Sequence, residues 1–435
     1  MESKRNIRKM AIKAIDLIAS QKALSTQLIN KEVKEISDKL DQSLYRELVY
    51  GSIENLFYLD YIIDKASKIK TKKMQKTVLN ALRLGVYELV FLRIENYATI
   101  NEIVKIIKRE EGQRTGNFVN AVLRNISRNI EEFKKIDIKD RHKYLSIKYS
   151  FHIDIVRYLD KYYSDDLEDL LKALYQRPSM SIRVNTMKVS KADLSKQLLD
   201  KGFETKESTL AKDALIVLNP VNITNLNLFK KGYFTIQDQG SIKVAEILDP
   251  LAESEILDLC AAPGSKSTHL AQLTEDKSLV IANDISKYKN KKIKENFSRL
   301  GFNNYQITNH DATNTVEEFK QAFDYVLVDA PCSGLGVVMR KPDIKLFRTM
   351  KDIKALVKIQ RSILSQAVKY LKKGGYLVYS SCTIGALENQ ENVDYLLSIE
   401  DKLEIVPIDE QPYLEILPHK SESDGFFIAK FQLID

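Results

Sequence analysis

The sequence has few cysteines, and the three it contains form no CxxC pair. An odd number of thiols without that spacing argues against a disulfide framework and against a structural zinc site. The five histidines are scattered, so we expect no metal site. No stretch reaches the length of a membrane span without charges, and charges interrupt the apolar stretch at the N-terminus. With no repeats or low-complexity segments either, the chain is predicted to be a globular cytoplasmic protein without a membrane partner.

The charge of the chain is unevenly placed. Its 435 residues are 44% hydrophobic and 29% charged, as in ordinary globular proteins, and the length predicts two or three domains. Residues 1–130 hold 24 Lys and Arg against 15 Asp and Glu, a net of +9, whereas the remainder has a net of −1. A basic module beside a neutral one indicates either polyanion binding or merely a lysine-rich solvated surface. Charge alone does not decide between these two interpretations.

Hydrophobic periodicity divides the chain into four parts. Residues 1–130 show apolar side chains at i, i+3 and i+4 spacing, which predicts a helical bundle. Residues 131–143 lack a sustained stripe and are predicted to be a linker. Residues 144–235 mix short strands with a helical run and are predicted to form a small α/β module. In residues 236–435 strands and helices alternate, which predicts a doubly wound, mostly parallel sheet that ends in an antiparallel hairpin.

Each cysteine ends an apolar, strand-like run in the C-terminal half. Cys260 lies in EILDLCAAPG, Cys332 in YVLVDAPCSG and Cys382 in YLVYSSCTIG. A single cysteine behind a strand is usually a small buried hydrophobe. Because all three cysteines lie beside turn residues, we instead expect a ligand crevice at the carboxyl ends of the strands. The runs before Cys332 and Cys382 are the predicted fourth and fifth strands, so the two thiols could face one substrate, which suggests covalent thiol chemistry.

The segment DLCAAPGSKSTHL (258–270) joins the predicted first strand to the first helix of that sheet. Its small residues let a ligand approach the backbone closely, and the helix start offers free N–H groups to an anionic group. A P-loop is excluded because Ser265 separates Gly264 from Lys266, and no GxGxxG fingerprint is present.

Aspartates end the predicted second, third and fourth strands. Asp284 lies 20 residues after Gly264, where an acidic side chain accepts hydrogen bonds from ribose hydroxyls, so the expected ligand is a nucleoside. Asp311 could accept from an adenine amino group, and Asp329 ends the fourth strand. A single aspartate at a strand end is more often a turn residue or a helix cap. Three in succession favour a ligand site.

A pair of thiols suits one reaction in particular. Cytosine C5 is a poor nucleophile until a thiolate adds to C6 and moves electron density onto C5, which can then attack an electrophilic methyl group. The sequence of steps needs a nucleophilic thiol, a hydrogen-bond partner at the N3/N4 edge and a base for the C5 proton. Cys382, Asp329 and Cys332 could supply these functions, and the spacing leaves open which cysteine attacks.

The motifs CAAPGSK, DAPCSG and SSCTIG together resemble the RsmB/NOP family of RNA cytosine-C5 methyltransferases. NALRLGVYELVFL, NEIVKI and GNFVNAVLRNI are similar to the NusB-like domain of the bacterial RsmB branch, and QDQGS and DGFFIAKF also resemble that branch. The resemblance covers essentially the whole chain. It implies an all-α NusB-like RNA-binding bundle, a small α/β middle module and a C-terminal Rossmann-like domain. It also implies methylation of cytosine C5 in 16S rRNA or a small-subunit precursor by a monomer that uses S-adenosylmethionine and forms a covalent Cys–C6 intermediate.

The resemblance also implies residue roles. It assigns the nucleophile to Cys382 and the release of the methylated base to Cys332, with Asp329 beside them. The implied cofactor contacts are Cys260, Ala261, Ala262, Pro263, Gly264, Ser265, Lys266, Asp284, Asp311 and Asp329. The chain departs from the family pattern at Ser265, where a glycine is usual, and at Met339 and Leu346, in a loop expected to face RNA.

Two other functions share parts of this pattern. A NusB-like RNA-binding protein with a vestigial methyltransferase domain would have no reason to keep both thiols and three strand-end carboxylates. A DNA cytosine methyltransferase would attack with the thiol after the fourth strand, Cys332, and would have no reason for a NusB-like domain. The triplet Glu391-Asn392-Val393 resembles a motif of such enzymes, but it follows SSCTIG within a helical run and is interpreted as a coincidence.

Overall fold

The structure is a computed structural model in which residues 6–434 are described. Residues 1–5, which open the expected helical domain, and residue 435, which ends the expected catalytic domain, lie outside the described residues. The chain forms two compact units. The first comprises the residues up to Tyr175 together with Arg340–Thr349, and the second comprises Gln176–Met339 and the residues from Met350 onward. The finer division at residues 130, 143 and 235 stays a prediction.

The N-terminal part of the first unit is helical, as the apolar stripes predict. Its helices are α1 (Ile7–Ala19), α2 (Ser25–Glu32), α3 (Lys39–Glu54), α4 (Leu56–Ala66), α5 (Lys76–Phe91), α6 (Asn96–Glu111), α7 (Gln113–Arg128), α8 (Ile130–Lys134), α9 (Arg141–Tyr149), α10 (Ile153–Tyr163) and α11 (Leu167–Ala173). Along α1 the predicted stripe is buried in the core of the unit, and the Asn6 side chain caps the helix by accepting from the Lys9 amide at 3.0 Å. Apolar burial therefore selects the helical faces, and polar caps set the helix starts.

The interior of the first unit also contains a buried carboxylate whose charge is paired and hydrogen-bonded. The carboxylate of Glu88 is fully buried and accepts two hydrogen bonds of 2.8 Å from the guanidinium of Arg8. The hydroxyl of Thr99 donates a third, also at 2.8 Å. Because a buried charge is tolerated only when it is paired and hydrogen-bonded, this cluster fixes how α1, α5 and α6 pack.

The segment Arg340–Thr349 comes from the chain after Cys332 but belongs to the first unit. Lys345 is buried there, donates from Nζ to the Tyr149 carbonyl at 3.0 Å, and lies 4.9 Å from the ring centroid of Tyr175. Burial lowers the pKa of Lys345 to about 8. Leu346 is 3% exposed and packs in the helical core. The expectation that this residue lies in a loop facing RNA is therefore wrong, because the helical unit buries it.

The second unit begins with a small antiparallel sheet in the order β2-β3-β1-β4. Its elements are β1 (Met180–Val184), α12 (Lys191–Leu199), β2 (Thr205–Glu207), β3 (Ala214–Val217), α13 (Asn227–Lys230) and β4 (Phe234–Ile236). The short strands and the helical run predicted for this part of the chain are confirmed as β1, β3, β4 and α12. Strand β2 has three residues, too few to show the alternation by which strands are predicted.

A second, larger sheet follows in the order β10-β12-β9-β8-β5-β6-β7, with β11 paired to β12. Its strands are β5 (Glu255–Asp258), β6 (Leu279–Asn283), β7 (Tyr305–Thr308), β8 (Phe323–Asp329), β9 (Leu371–Ser381), β10 (Leu403–Val406), β11 (Leu414–Ile416) and β12 (Phe426–Leu433). The remaining helices are α14 (Gln239–Leu248), α15 (Ser265–Leu273), α16 (Lys287–Leu300), α17 (Asp343–Phe347, in the first unit), α18 (Met350–Tyr370) and α19 (Gln390–Ile399).

The large sheet confirms the predicted doubly wound architecture. Strands β5 to β9 are parallel, and β12 pairs antiparallel with both β9 and β10. The strand order reverses between β5 and β8, where the chain crosses from one half of the sheet to the other. In such sheets, ligands bind outside the carboxyl ends of the strands at this switch point.

Candidate active site

Two thiols meet at the carboxyl edge of the large sheet. Cys332 lies three residues after the end of β8, Cys382 follows β9 directly, and the two strands are parallel neighbours with Asp329 opposite Ser380. The two Sγ atoms are 3.3 Å apart, within hydrogen-bond distance for sulfur, and both residues are partly accessible. Strand order thus brings together the two thiols that the motifs predict as partners.

The third cysteine has a different environment. Cys260 follows β5 and packs against the apolar core beside the sheet. Burial raises the pKa of its thiol well above the usual value, and the nearby Asp258 carboxylate raises it further. A thiol held neutral among apolar side chains behaves as a small hydrophobe, so the ordinary structural interpretation fits Cys260.

The thiol of Cys332 is also held in its neutral form. Its hydrogen bond with Cys382 is the largest cause that raises the pKa of Cys332, and burial adds to it. The thiolate is the nucleophilic form of cysteine, so a thiol whose pKa is raised is a poor spontaneous nucleophile. Because this hydrogen bond joins Cys332 to Cys382, a proton can pass between the two sulfur atoms.

A buried polar network fixes the loops that carry the two thiols. The carboxylate of Glu388 accepts from the Ser333 amide at 2.8 Å and from Nε2 of Gln360 at 2.9 Å. The hydroxyls of Ser333 and Thr383, each next to a cysteine, are 2.6 Å apart. These bonds tie the residue after Cys332 to the residue after Cys382, and they limit how far the sulfur atoms can separate.

Asn392 lies at the centre of this network. Its fully buried side chain donates to Oε1 of Gln360 at 2.9 Å, to the Glu388 carbonyl at 3.0 Å and to the hydroxyl of Tyr379 at 3.1 Å. The interpretation of its triplet as a mere coincidence missed this supporting role. Glu388 and Gln360 were missed as well, and the one available signal was the density of polar residues in ALENQEN, directly after the SSCTIG motif.

Asp329 is held beside the thiols by two hydrogen bonds. Its Oδ2 accepts from Nζ of Lys266 at 2.7 Å and its Oδ1 from the Ser380 hydroxyl at 2.9 Å. Burial lowers the pKa of Lys266, but the Asp329 charge and hydrogen bond outweigh it, so the net shift is upward. Lys266 therefore stays protonated, and the pair presents a fixed carboxylate and ammonium near Cys332.

The loop between β5 and α15 has the backbone that its glycine predicts. Gly264 has a φ of +93°, a left-handed value, and a Cβ there would lie 3.2 Å from the Cα of Ile293. The fully buried guanidinium of Arg183 supports the loop from the small sheet. It donates to the carbonyl of Ser265 and to the Thr268 hydroxyl, and burial lowers its pKa to about 9. Sequence reasoning missed Arg183.

The motif QDQGS packs against the same region. Gln237 accepts from the Arg183 guanidinium at 2.8 Å, which links the motif to the loop before α15. Asp238 caps α14 by accepting from the Gly240 amide at 2.9 Å, and it also accepts from the Ser423 hydroxyl at 2.9 Å. The segment DGFFIAKF begins one residue later, so two motifs that are distant in sequence meet here.

The two remaining predicted cofactor carboxylates differ in environment. Asp284 is buried and accepts from the amides of Ala262 and Ser286 at 3.2 and 2.9 Å, so it ties β6 to the CAAPG loop. Asp311 is exposed, and Oδ1 accepts from both the amide and the hydroxyl of Thr313, which lowers the pKa of the carboxyl. Asp311 thus forms the local turn that aspartates at strand ends commonly form.

Asp258 ends β5 beneath this loop. Its Oδ2 accepts from the Ser267 hydroxyl at 2.6 Å, whereas its buried Oδ1 has no hydrogen-bond partner. Burial raises the pKa of Asp258 to about 7. The sequence analysis did not single out Asp258, although it ends β5 as Asp329 ends β8.

Within residues 6–434, no group of three or more His, Cys, Asp or Glu side chains is arranged to hold a metal ion. None of the helices in that range combines the length and the apolar character that crossing a membrane requires.

The sheet order and the glycine-containing loop fit a methyltransferase, and the family models that match the chain name that class. Residues 245–432 match the family described as 16S rRNA methyltransferase RsmB/F. Residues 5–128 match the NusB family, and residues 155–224 match the ferredoxin-like domain of RsmF/B-like methyltransferases.

Full-length relatives agree with this assignment. The chain is 37% identical to the probable ribosomal RNA small subunit methyltransferase B of Bacillus subtilis (strain 168), over 99% of both chains. It is 32% identical to the ribosomal RNA small subunit methyltransferase B of Serratia proteamaculans (strain 568), again over 99% of both. The chain therefore belongs to the RsmB/F family of ribosomal RNA small subunit methyltransferases.

Solved structures are similar as well. A methyltransferase homolog protein from Pyrococcus horikoshii is 27% identical with a TM-score of 0.62. The match covers 68% of this chain and all of the other chain. NSun6 from Pyrococcus horikoshii, solved with SFG, is 26% identical with a TM-score of 0.58. The match covers 65% of this chain and 98% of the other chain.

Proposed function

We propose that the protein methylates C5 of a cytosine in 16S rRNA or its small-subunit precursor, with S-adenosylmethionine as the methyl donor. The observation that carries the proposal is the contact of 3.3 Å between the thiols of Cys332 and Cys382, with the Lys266–Asp329 pair beside them. Two cysteines at one ligand edge suit a reaction in which one thiol attacks the base and the other assists its release. The names of the relatives support RNA as the substrate, and the paired thiols support the reaction.

The reaction begins on the base. The thiolate of Cys382 adds to C6, and the π electrons of the C5–C6 bond move towards C5. The Asp329 carboxylate faces the N3/N4 edge of the base. S-adenosylmethionine supplies an electrophilic methyl group when it is bound. C5 would form its new bond to that methyl carbon as the carbon–sulfur bond of the donor breaks, with S-adenosylhomocysteine as the leaving group, and a base then removes the C5 proton. The released electron pair restores the C5–C6 double bond and expels the Cys382 thiolate.

The proton steps favour different roles for the two cysteines. Because the two Sγ atoms are 3.3 Å apart, a proton can pass between the two thiols as one attacks and the other assists release. The family resemblance assigns attack to Cys382 and release to Cys332. A DNA methyltransferase would reverse these roles.

The loop and strand ends fit the proposed cofactor. Gly264 lacks a Cβ where the backbone is crowded, and α15 begins at the next residue with free N–H groups that suit an anionic group. The carboxylate of Asp284 lies where it could accept from ribose hydroxyls. The residues that would hold S-adenosylmethionine are Cys260, Ala261, Ala262, Pro263, Gly264, Ser265, Lys266, Asp284, Asp311 and Asp329.

The remaining parts of the proposal concern the whole chain. We place RNA binding on the helical domain of residues 1–130 and catalysis on residues 236–435, in a cytoplasmic monomer. The NusB match and the ribosomal relatives favour RNA over DNA. A vestigial methyltransferase domain is disfavoured because the thiols, the Lys266–Asp329 pair and their hydrogen-bond network are intact.

The test uses purified full-length protein, radiolabelled S-adenosylmethionine and 16S rRNA, followed by bisulfite mapping of the product. We expect label in one RNA region and a bisulfite-resistant cytosine there. DNA of the same sequence serves as the control and is expected to stay unlabelled. Label on another base, or on DNA alone, would contradict the proposal, and binding of the cofactor without transfer to any nucleic acid would favour the vestigial alternative.

A further inference from the structure

One face of α16 is densely positive, although the C-terminal part of the chain has a net charge close to zero. The helix begins KYKNKKIK, with five lysines among its first eight residues, in a region whose net charge beyond residue 130 is −1. Lys287, Lys291 and Lys294 are spaced i, i+4 and i+7 and form one row on the helix surface. Tyr288 and Lys292 form the adjacent row. We call these five residues the α16 lysine face.

The α16 lysine face is turned to solvent on a well-anchored helix. Its four lysines are exposed, and the Tyr288 side chain is 85% exposed. On the opposite side, Ile293, Phe297 and Leu300 are buried in the core beside the sheet. The position of the exposed face is therefore fixed by packing, although its side chains are free to reorient.

Few acidic groups oppose this charge. Glu295 approaches Lys291 at only 3.9 Å, and it is itself exposed. Among the described residues, Lys287, Lys292 and Lys294 have no ion pair. Positive charges that no carboxylate neutralises are complementary to a polyanion such as a nucleic-acid backbone.

The location of the face connects it to the candidate active site. Asn296 on the same helix donates to the Pro263 carbonyl at 2.9 Å, and Ile293 packs beside Gly264. Asp284, the proposed ribose ligand, lies three residues before the helix begins. The helix that carries this face therefore begins at the carboxyl edge of the sheet and packs against the loop of the proposed cofactor site.

The exposed tyrosine distinguishes this face from an ordinary solvated lysine surface. Charge alone explains the solubility of a helix, but it does not explain an aromatic ring that is almost wholly in water and flanked by cations. Proteins that bind single-stranded nucleic acids combine a positively charged track for the backbone with aromatic rings on which bases stack. The α16 lysine face has both elements within two turns of helix.

We propose that the α16 lysine face binds a single-stranded segment of the RNA substrate, with the lysine row on phosphates and Tyr288 stacked on an unpaired base. The site deepens the proposed function and rests on it for the identity of the RNA. It adds a second RNA contact, on the helix that packs against the proposed cofactor loop, and this contact is separate from the basic N-terminal third. Extruding a cytosine from its stack costs a few kcal/mol, and contacts to the flanking strand would offset part of that cost.

The test compares full-length variants by fluorescence anisotropy with a fluorescein-labelled, unstructured oligoribonucleotide over a range of salt concentrations. Lys287→Gln, Lys291→Gln and Lys294→Gln combined should weaken binding roughly tenfold or more at low salt and reduce the log–log salt slope by about 2. Tyr288→Leu should weaken binding roughly tenfold without changing the slope, because stacking releases no counterions. The slope therefore separates the two contributions.

A matched control uses exposed lysines elsewhere in the second unit. Lys196→Gln, Lys201→Gln and Lys212→Gln combined remove the same number of charges and are expected to leave RNA affinity nearly unchanged. The binding assay needs no methyl transfer, so failure of the proposed reaction would leave this site testable. Calorimetric titration with S-adenosylmethionine is expected to give the wild-type dissociation constant for the lysine variant. Equal RNA affinity and slope for that variant and its control would overturn the proposal, and a loss of S-adenosylmethionine binding with RNA affinity retained would assign the face to the cofactor instead.

Discussion

The sulfur atoms of Cys332 and Cys382 lie 3.3 Å apart at the ends of two neighbouring parallel strands. If Cys382 attacks C6 and Cys332 assists release, removing each thiol has a different result. Cys382→Ala should abolish methyl transfer, because no covalent bond to the base can form. Cys332→Ala should retain attack but slow release, so a protein–RNA adduct should accumulate as a band that survives denaturing electrophoresis.

Both cysteine variants should bind S-adenosylmethionine nearly as well as the wild type, since neither thiol is a proposed cofactor contact. The double variant serves as the control and should form no adduct. An adduct in Cys382→Ala combined with an inert Cys332→Ala would show that the roles are reversed, as a DNA-type mechanism requires.

Asp284 provides a test of the cofactor loop. Asp284→Ala removes a buried charged acceptor, which typically costs on the order of 1–3 kcal/mol. Calorimetry should therefore show S-adenosylmethionine binding roughly ten- to hundred-fold weaker. An unchanged dissociation constant would remove Asp284 from the site.

Asp284 also accepts from two backbone amides, so a control must separate loop damage from lost ligand contact. Asp276 is a suitable match, because it accepts from the amides of Asn303 and Asn304 in another loop. Asp276→Ala should lower thermal stability about as much as Asp284→Ala while leaving S-adenosylmethionine affinity unchanged. Equal losses of affinity in both variants would indicate a general effect of destabilisation.

The sequence predicts the parts of this site that lie in local motifs. Strand-end positions gave the pairing of Cys332 with Cys382, because neighbouring parallel strands end at one edge of the sheet. It could not predict Arg183 or Gln360, whose partners lie 82 and 28 residues away. A buried polar side chain has no periodic signature, and its partners are defined only when distant elements pack. Leu346 was misplaced for the same reason, since its surroundings come from the helical unit.

The buried Asp258 predicts a pH dependence of stability. Its pKa is raised from 3.8 to about 7 in the folded protein, so the folded state binds a proton that the unfolded state has released. Between those two pH values stability therefore falls as pH rises, and above about 7 the loss is complete. Asp258→Asn removes the titrating group and can keep the hydrogen bond from Ser267. Denaturant unfolding should show the variant gaining stability relative to the wild type across this window.

The size of that gain is on the order of a few kcal/mol, since each unit of pKa shift corresponds to about 1.4 kcal/mol. Asp324→Asn is a useful control, because the carboxylate of Asp324 is far less buried and is paired with Lys372. The gain in stability expected for Asp258→Asn should be absent from this variant. Parallel pH curves for Asp258→Asn and the wild type would show that Asp258 is not the titrating group.

The last prediction concerns RNA binding by the basic N-terminal third. Deleting residues 1–130 is a poor test, because helices α9 to α11 and Leu346 belong to the same compact unit and would lose their core. Surface substitutions avoid this problem. Lys68, Lys72 and Lys73 are exposed and lie close together in the segment that follows α4. Changing all three to Gln should weaken RNA binding and reduce the log–log salt slope by about 2, as expected for three lost phosphate contacts.

Exposed lysines of the first unit that lie outside residues 1–130 form the matched control, namely Lys143, Lys161 and Lys172. Changing these three to Gln removes the same charge, so a general electrostatic effect would weaken binding equally in both variants. A specific contact would weaken it only in the first. S-adenosylmethionine binding should persist in both, since every proposed cofactor contact lies beyond residue 255. Equal RNA affinity and equal slope for the wild type and both variants would favour the competing view, in which the N-terminal lysines merely keep a protein-binding bundle soluble.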